Sequence, residues 1–70
     1  MRATVNVTVN GERREIASDS TVKSLLDSLG LAPQATVVQK NNDILDRARF
    51  ADTLLAEGDA LELVRFVGGG

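Results

Sequence analysis

The chain contains no cysteine and no histidine. Those absences remove disulfides, thiol nucleophiles, thiolate and imidazole metal ligands, and the usual general base near neutral pH. Catalysis by the chain's own side chains is therefore not expected, and neither is a bound metal. Positive charge is also scarce: eight Lys and Arg face ten Asp and Glu, for a net charge of −2. Phosphate binding relies on concentrated basic residues, so a nucleic-acid partner is not expected. The segment from Met1 to Val9 has one Arg and alternating valines rather than an unbroken apolar run. It fits neither a signal peptide nor a membrane span, and the expectation is a soluble, cytoplasmic protein. Seventy residues leave room for one domain, near the lower size at which a single core folds without staples.

What is present is well patterned. Ala3, Val5, Val7 and Val9 alternate with Thr4, Asn6 and Thr8, the period of a half-buried strand. Asn10-Gly11 suits a type I′ turn, so a second strand, Glu12 to Ile16, should return antiparallel. A two-residue loop would pair Val9 with Glu12 and Val7 with Arg14, putting charges on the valine face. Either that end projects past the core or the loop is longer, and Ile16 opposite Val5 is the expected core contact. Ser18-Asp19-Ser20-Thr21 supplies capping residues before Val22, Leu25, Leu26 and Leu29, which share one face of a short helix ended by Gly30.

Thr36 to Lys40 reads as a third strand, Asn41-Asn42-Asp43 as a turn, and Ile44-Leu45 as a brief return. From Arg47 to Leu55 the pattern is ambiguous, with Phe50, Leu54 and Leu55 spaced for a helical turn. Glu57-Gly58-Asp59 marks another turn, and Ala60 to Val67 the last strand, with Leu61 and Leu63 on one face and Glu62, Val64 and Phe66 on the other. The order β-β-α-β, a small turn region, then β is that of an α+β β-grasp fold. One helix covers one face of a mixed sheet, and the last strand lies centrally, parallel to the first. Val64 and Phe66 then point to the uncovered face, as a docking surface or, for Phe66, as the edge of the core.

The chain ends on Val67-Gly68-Gly69-Gly70. Glycines pack no side chain and cost entropy on ordering, so residues 68–70 are expected to form an extended, mobile tail beyond a domain of residues 1–67. Without Cβ atoms such a tail fits a narrow channel in a partner enzyme, and its carboxylate becomes an acyl donor once ATP turns it into an acyl-adenylate. A floppy end without function is the competing reading. A phosphate-cradling loop is disfavoured because no helix follows Gly70. Glu57, Asp59 and nearby Asp52 and Glu62 suggest turn chemistry rather than an acid/base or metal site. Arg13 and Arg14 read as solvated surface, and Arg47 and Arg49 as surface or as steering groups for an acidic partner.

Taken in order, Val9-Asn10-Gly11-Glu12, Thr21-Val22, Leu25-Leu26, Leu29-Gly30, Ile44-Leu45 with Arg47, Gly58-Asp59, Leu61-Glu62-Leu63-Val64 and Phe66-Val67-Gly68-Gly69-Gly70 resemble the ThiS family along the whole chain. These are sulfur carriers of thiazole synthesis in the thiamin pathway. The chain departs from the family's usual pattern with Asn41-Asn42-Asp43 at one turn and Asp46 before Arg47. The resemblance implies a ubiquitin-like β-grasp fold with a mixed four- to five-stranded sheet. It also implies a protein cosubstrate and not an enzyme, with no bound cofactor. A ThiF-type adenylating enzyme would use ATP and Mg to adenylate Gly70. A sulfur donor such as a cysteine desulfurase would give the thiocarboxylate, and a ThiG-type thiazole synthase would take the sulfur. Gly68 and Gly69 would thread the partner's channel, and Val64, Arg65 and Phe66 would dock it. MoaD-type carriers for molybdopterin, carriers for cysteine synthesis, and ubiquitin-like modifiers of lysine share this fold and glycine end.

Overall fold

The computed structural model describes residues 3–66. Its first hairpin follows from turn chemistry. Asn10 and Gly11 take φ of 52° and 83°, both left-handed, so the two-residue loop twists with its strands. Strand β1, Thr4–Val9, pairs antiparallel with β2, Glu12–Ala17, with Val5 opposite Ile16, Val7 opposite Arg14 and Val9 opposite Glu12. Of the two expected alternatives the short loop holds, but that end does not project past the core: Val7 and Val9 are buried, and the charged residues opposite them stand exposed on the edge strand β2. Glu12 and Arg14 are both exposed and stand 3.6 Å apart as an ion pair. Half-buried Ile16 packs against the core.

Helix α1, Val22–Leu29, starts and stops where its sequence directs. Ser24 N–H donates to Thr21 Oγ1 at 3.1 Å and Thr21 N–H donates to Ser24 Oγ at 2.8 Å, a reciprocal capping box. Gly30, at φ 72°, closes the other end, and Leu31 N–H donates back to Leu26 O. The helix buries Val22, Leu25 and Leu26 against the sheet and leaves Leu29 half-buried.

Pro33 opens a single 3-10 turn, Pro33–Ala35, that leads into β3, Thr36–Lys40. The next turn is tighter than its three polar residues suggest. Asn41 and Asn42 have φ of 53° and 74°, a second two-residue turn, and Asp43 already pairs with Lys40 in β4, Asp43–Leu45. Arg47–Asp52 forms a 3-10 helix, which resolves the ambiguous stretch. It buries Phe50, but the backbone becomes extended at Thr53 (φ −100°, ψ 108°). Side chains then alternate, so Leu55 is buried while Leu54 is 61% exposed. Leu54 does not share a helical face with Phe50. The extended piece pairs with the approach to α1 through Val22 N–H to Thr53 O and Leu55 N–H to Ser20 O.

The last strand, β5, is Ala60–Arg65. Phe66 follows it, and Val67, expected at its end, lies outside the described residues. Strand order is β2-β1-β5-β3-β4, with β5 central, parallel to β1 and antiparallel to β3. One helix on one face of this mixed five-stranded sheet is the β-grasp arrangement anticipated above. Its core joins Val5, Val7 and Val9 of β1, Leu61 and Leu63 of β5 and Val38 of β3 to the helix leucines, Phe50 and Leu55.

Leu26, with no exposed surface, sits at the centre of that core. Leu26→Ala should cost about 3 kcal/mol, the usual price of a large core truncation and a large share of the stability of a domain this small. Urea unfolding followed by circular dichroism measures it, and a loss below about 1 kcal/mol would show that the core is not centred on this helix.

Candidate functional site

The end of β5 is built from both flanks. On the β1 side, regular pairing covers only Thr8 with Ala60 and Val9 with Leu61. Asn10, in the turn that follows, extends it: its backbone N–H donates to Leu61 O at 2.8 Å, its Oδ1 accepts from Leu63 N–H at 2.7 Å, and its Nδ2 donates to Leu63 O at 3.2 Å. On the β3 side, pairing runs from Lys40 with Leu61 to Thr36 with Arg65, and Phe66 N–H donates to Ala35 O at 3.0 Å. The start of β5 is held by the other asparagine turn. Asn41 Oδ1 accepts from Ala60 N–H at 2.9 Å, and Asn41 N–H donates to Ala60 O at 2.8 Å.

With the backbone set, strand alternation fixes the side chains. Leu61 and Leu63 are buried under the helix, whereas Val64 is 58% exposed and Phe66 48%. Val37 lies directly across from Val64. Ile44 is paired with Gln39, itself opposite Glu62, and therefore shares the same open face. Val37, Ile44, Val64 and Phe66 thus form an exposed apolar group on the sheet face that the helix leaves uncovered. Phe66 also forms one wall of a shallow groove of ~280 Å³ with Pro33, Val37, Leu45, Arg47 and Phe50. It borders the core without joining it.

Val64 and Phe66, two of the three expected docking residues, are brought together. Arg65 is not with them: it pairs with Thr36, whose side chain is buried on the helix side, so Arg65 emerges from the opposite pleat. Gly68, Gly69 and Gly70 lie outside the described residues. Val37 and Ile44 were not singled out from the sequence. The alternation of Val37 with buried Thr36 and Val38 is the signal that places Val37 outward.

Of the acidic candidates, Glu57 and Asp59 belong to a turn, Asp52 ends the 3-10 helix and Glu62 lies within β5 opposite Gln39. Gly58 has φ 87°. Asp59 is buried and accepts from Ala56 N–H at 2.8 Å and Asn41 Nδ2 at 3.1 Å, with Lys40 Nζ 3.8 Å away. Glu57 accepts from Asn6 N–H at 2.9 Å. Among the described residues no group of three or more Asp or Glu is arranged to hold a metal ion, and no helix is long and apolar enough to cross a membrane.

A family model described as the ThiS family matches residues 7–70, a span that takes in the terminal glycines. The chain belongs to the ThiS family. It is 33% identical over 63 residues to a protein named sulfur carrier protein ThiS from Bacillus subtilis, covering 89% of this chain and 96% of that one. A crystal structure described as thiamine biosynthesis protein (ThiS) from Geobacter metallireducens superposes with a TM-score of 0.79 at 36% identity, over 94% of this chain and all of the other. A protein named thiazole synthase from Paramagnetospirillum magneticum is 35% identical over 66 residues, which cover 94% of this chain but 20% of that protein. The chain spans about a fifth of the length of the thiazole synthases it matches. The fold is a ubiquitin-like β-grasp matching that of the ThiS structure, and the open apolar face includes Val64 and Phe66, which precede Gly68–Gly70 in sequence.

Because Val64 lies outside the core, Val64→Asp should cost less than about 1 kcal/mol, the range of strand-surface substitutions. Leu63→Asp, one position earlier, should unfold the domain by burying an unpaired charge. Thermal melts of the two variants test the assignment of faces, and similar losses would refute it.

Proposed function

We propose that this ThiS-family chain carries sulfur as a thiocarboxylate on Gly70 and delivers it for thiazole formation in thiamin biosynthesis. The observation that carries the reading is the family match continuing through Gly68, Gly69 and Gly70. The exposed apolar face formed by Val37, Ile44, Val64 and Phe66 directly before that run supports it. A carrier has to be held by each enzyme while its end enters the active site, and an apolar surface beside that end serves the purpose without catalytic side chains of its own.

In the proposed cycle, a ThiF-type enzyme uses Mg-ATP. The Gly70 carboxylate attacks the α-phosphate, pyrophosphate leaves, and an acyl-adenylate forms. The terminal sulfur of a persulfide, supplied by a cysteine desulfurase or related donor, then attacks the acyl carbon and displaces AMP to give an acyl disulfide. A thiol reductant cleaves the S–S bond to leave the thiocarboxylate and a disulfide on the donor side. The glycines Gly68 and Gly69 have no Cβ to block a narrow channel, while Val64 and Phe66, with Arg65 on the other pleat, engage the enzyme surface. A thiazole synthase as the acceptor is supported by the relatives of that name, in which a segment similar to this chain makes up a fifth of the protein. A segment similar to this chain within a protein named thiazole synthase is the arrangement expected of components that work together. The chain itself is a cosubstrate, consumed and regenerated in the cytoplasm, where its ATP-using partner would operate.

Removal of Gly70 should abolish carrier-dependent ATP–pyrophosphate exchange by the adenylating enzyme while the circular dichroism spectrum stays unchanged. Full exchange by the truncated chain would contradict the proposal. Phe66→Asp should raise the half-saturating carrier concentration about tenfold, equivalent to about 1.4 kcal/mol of binding, with the domain still folded. Unaltered saturation by this variant would remove Phe66 from the docking surface.

A further inference from the structure

We infer that Asn10 is a positioning residue for the carrier's working end: its carboxamide grips the backbone of Leu63 and thereby sets the path of the strand through Val64 to Phe66. The inference rests on the carrier reading for its kinetic consequence, but the grip itself is a property of the fold.

The need for a grip comes from the topology. β5 is the central strand, yet its regular pairing with β1 stops at Val9 opposite Leu61, because Asn10 turns the chain away at φ 52°. Beyond that point β5 would have a backbone neighbour on its β3 side alone, through Thr36 opposite Arg65 and Phe66 N–H to Ala35 O. The Asn10 carboxamide fills the gap. Its oxygen accepts from Leu63 N–H at 2.7 Å and its nitrogen donates to Leu63 O at 3.2 Å, so one side chain stands in for a peptide unit and adds a further rung to the ladder. Leu63 immediately precedes Val64, the first residue of the apolar face.

Turn chemistry alone does not account for this residue. Gly, Asp and Asn all suit the first position of a type I′ turn. Asn alone of the three offers a donor and an acceptor together. Asp would accept from Leu63 N–H but set a carboxylate oxygen against Leu63 O, and Gly would offer neither group. At the other end of β5 the second asparagine turn uses only the oxygen of its carboxamide on the strand: Asn41 Oδ1 accepts from Ala60 N–H while Asn41 Nδ2 donates to Asp59. That contact is at the opposite end of β5 from Val64 and Phe66, so Asn10 is the one that bears on presentation.

Asn10→Gly isolates the effect, since glycine retains the positive φ and deletes only the carboxamide. Thr21→Ala serves as the comparison, because it destabilises the domain through the helix cap without touching β5. In the full chain, amide hydrogen exchange at Leu63 should accelerate about tenfold or more in Asn10→Gly relative to the helix amides, a local opening rather than a global one. The same variant should raise the half-saturating carrier concentration of the adenylating enzyme about fivefold with turnover at saturation unchanged, the pattern of lost binding. Thr21→Ala should do neither. Exchange at Leu63 that rises no more than in the helix overturns the grip. Unchanged saturation by Asn10→Gly, or an equal rise with Thr21→Ala, overturns the positioning role. If the wild-type chain is not adenylated at all, the carrier reading fails, and exchange at Leu63 alone decides whether Asn10 holds the strand.

Discussion

The central strand β5 carries both obligations of this domain, and the rest of the structure depends on its being held from two sides. It supplies Leu61 and Leu63 to the core and Val64 to the open face, so any rotation or slip would exchange the two sets. Its partner β1 reaches only two of its residues in regular pairing. Hydrogen bonds from Asn10 and Asn41, one near each end, complete what the strands leave unmade. Buried or half-buried backbone groups without partners cost as much as a lost hydrogen bond. The two asparagine turns therefore change strand direction and also satisfy the strand they flank.

The same economy separates stability from presentation. A domain of this size has little apolar surface to spare, and the helix covers one face of the sheet only. Val22, Leu25 and Leu26 meet Val5, Val7, Leu61 and Leu63 there. Val37, Ile44, Val64 and Phe66 lie on the other face, where they add little to the core and remain open to a partner. A surface of this kind carries an aggregation cost in a monomer and is retained where something binds it.

Much of this fold was legible in local periodicity. The valine alternation of β1, the helix stripe with its Thr21 and Gly30 ends, and the Asn10-Gly11 turn each have a short-range physical cause, and together they set the Val5–Ile16 register. The stretch from Arg47 to Leu55 was not legible. A 3-10 helix followed by extended backbone has no single period, and the outward direction of Leu54 depends on pairing with residues near Thr21, more than thirty positions away in sequence. The carboxamide contacts of Asn10 and Asn41 were hidden for the same reason. Their sequence context announces turns, whereas their partners, Leu63 and Ala60, become neighbours only when the sheet closes. Of the candidate site, Val64 and Phe66 could be read from alternation along one strand. Val37 and Ile44 join them only through cross-strand register, and Arg65 is separated from them by the pleat.

The central proposal is chemical: Gly70 would be the group that acts, presented by the folded residues. The most direct measurement is the mass of the protein isolated from its own cells, followed by fragmentation. Replacement of a carboxylate oxygen by sulfur adds about 16 Da, nearly the same as oxidation of Met1, so the position of the added mass is what decides. The account predicts the increment on the C-terminal fragment containing Gly70, raised further by the mass of the added group on treatment with an alkylating agent that captures the sulfur. An unmodified Gly70 in cells making thiamin, or Gly70 found joined to lysines of other proteins, would contradict it.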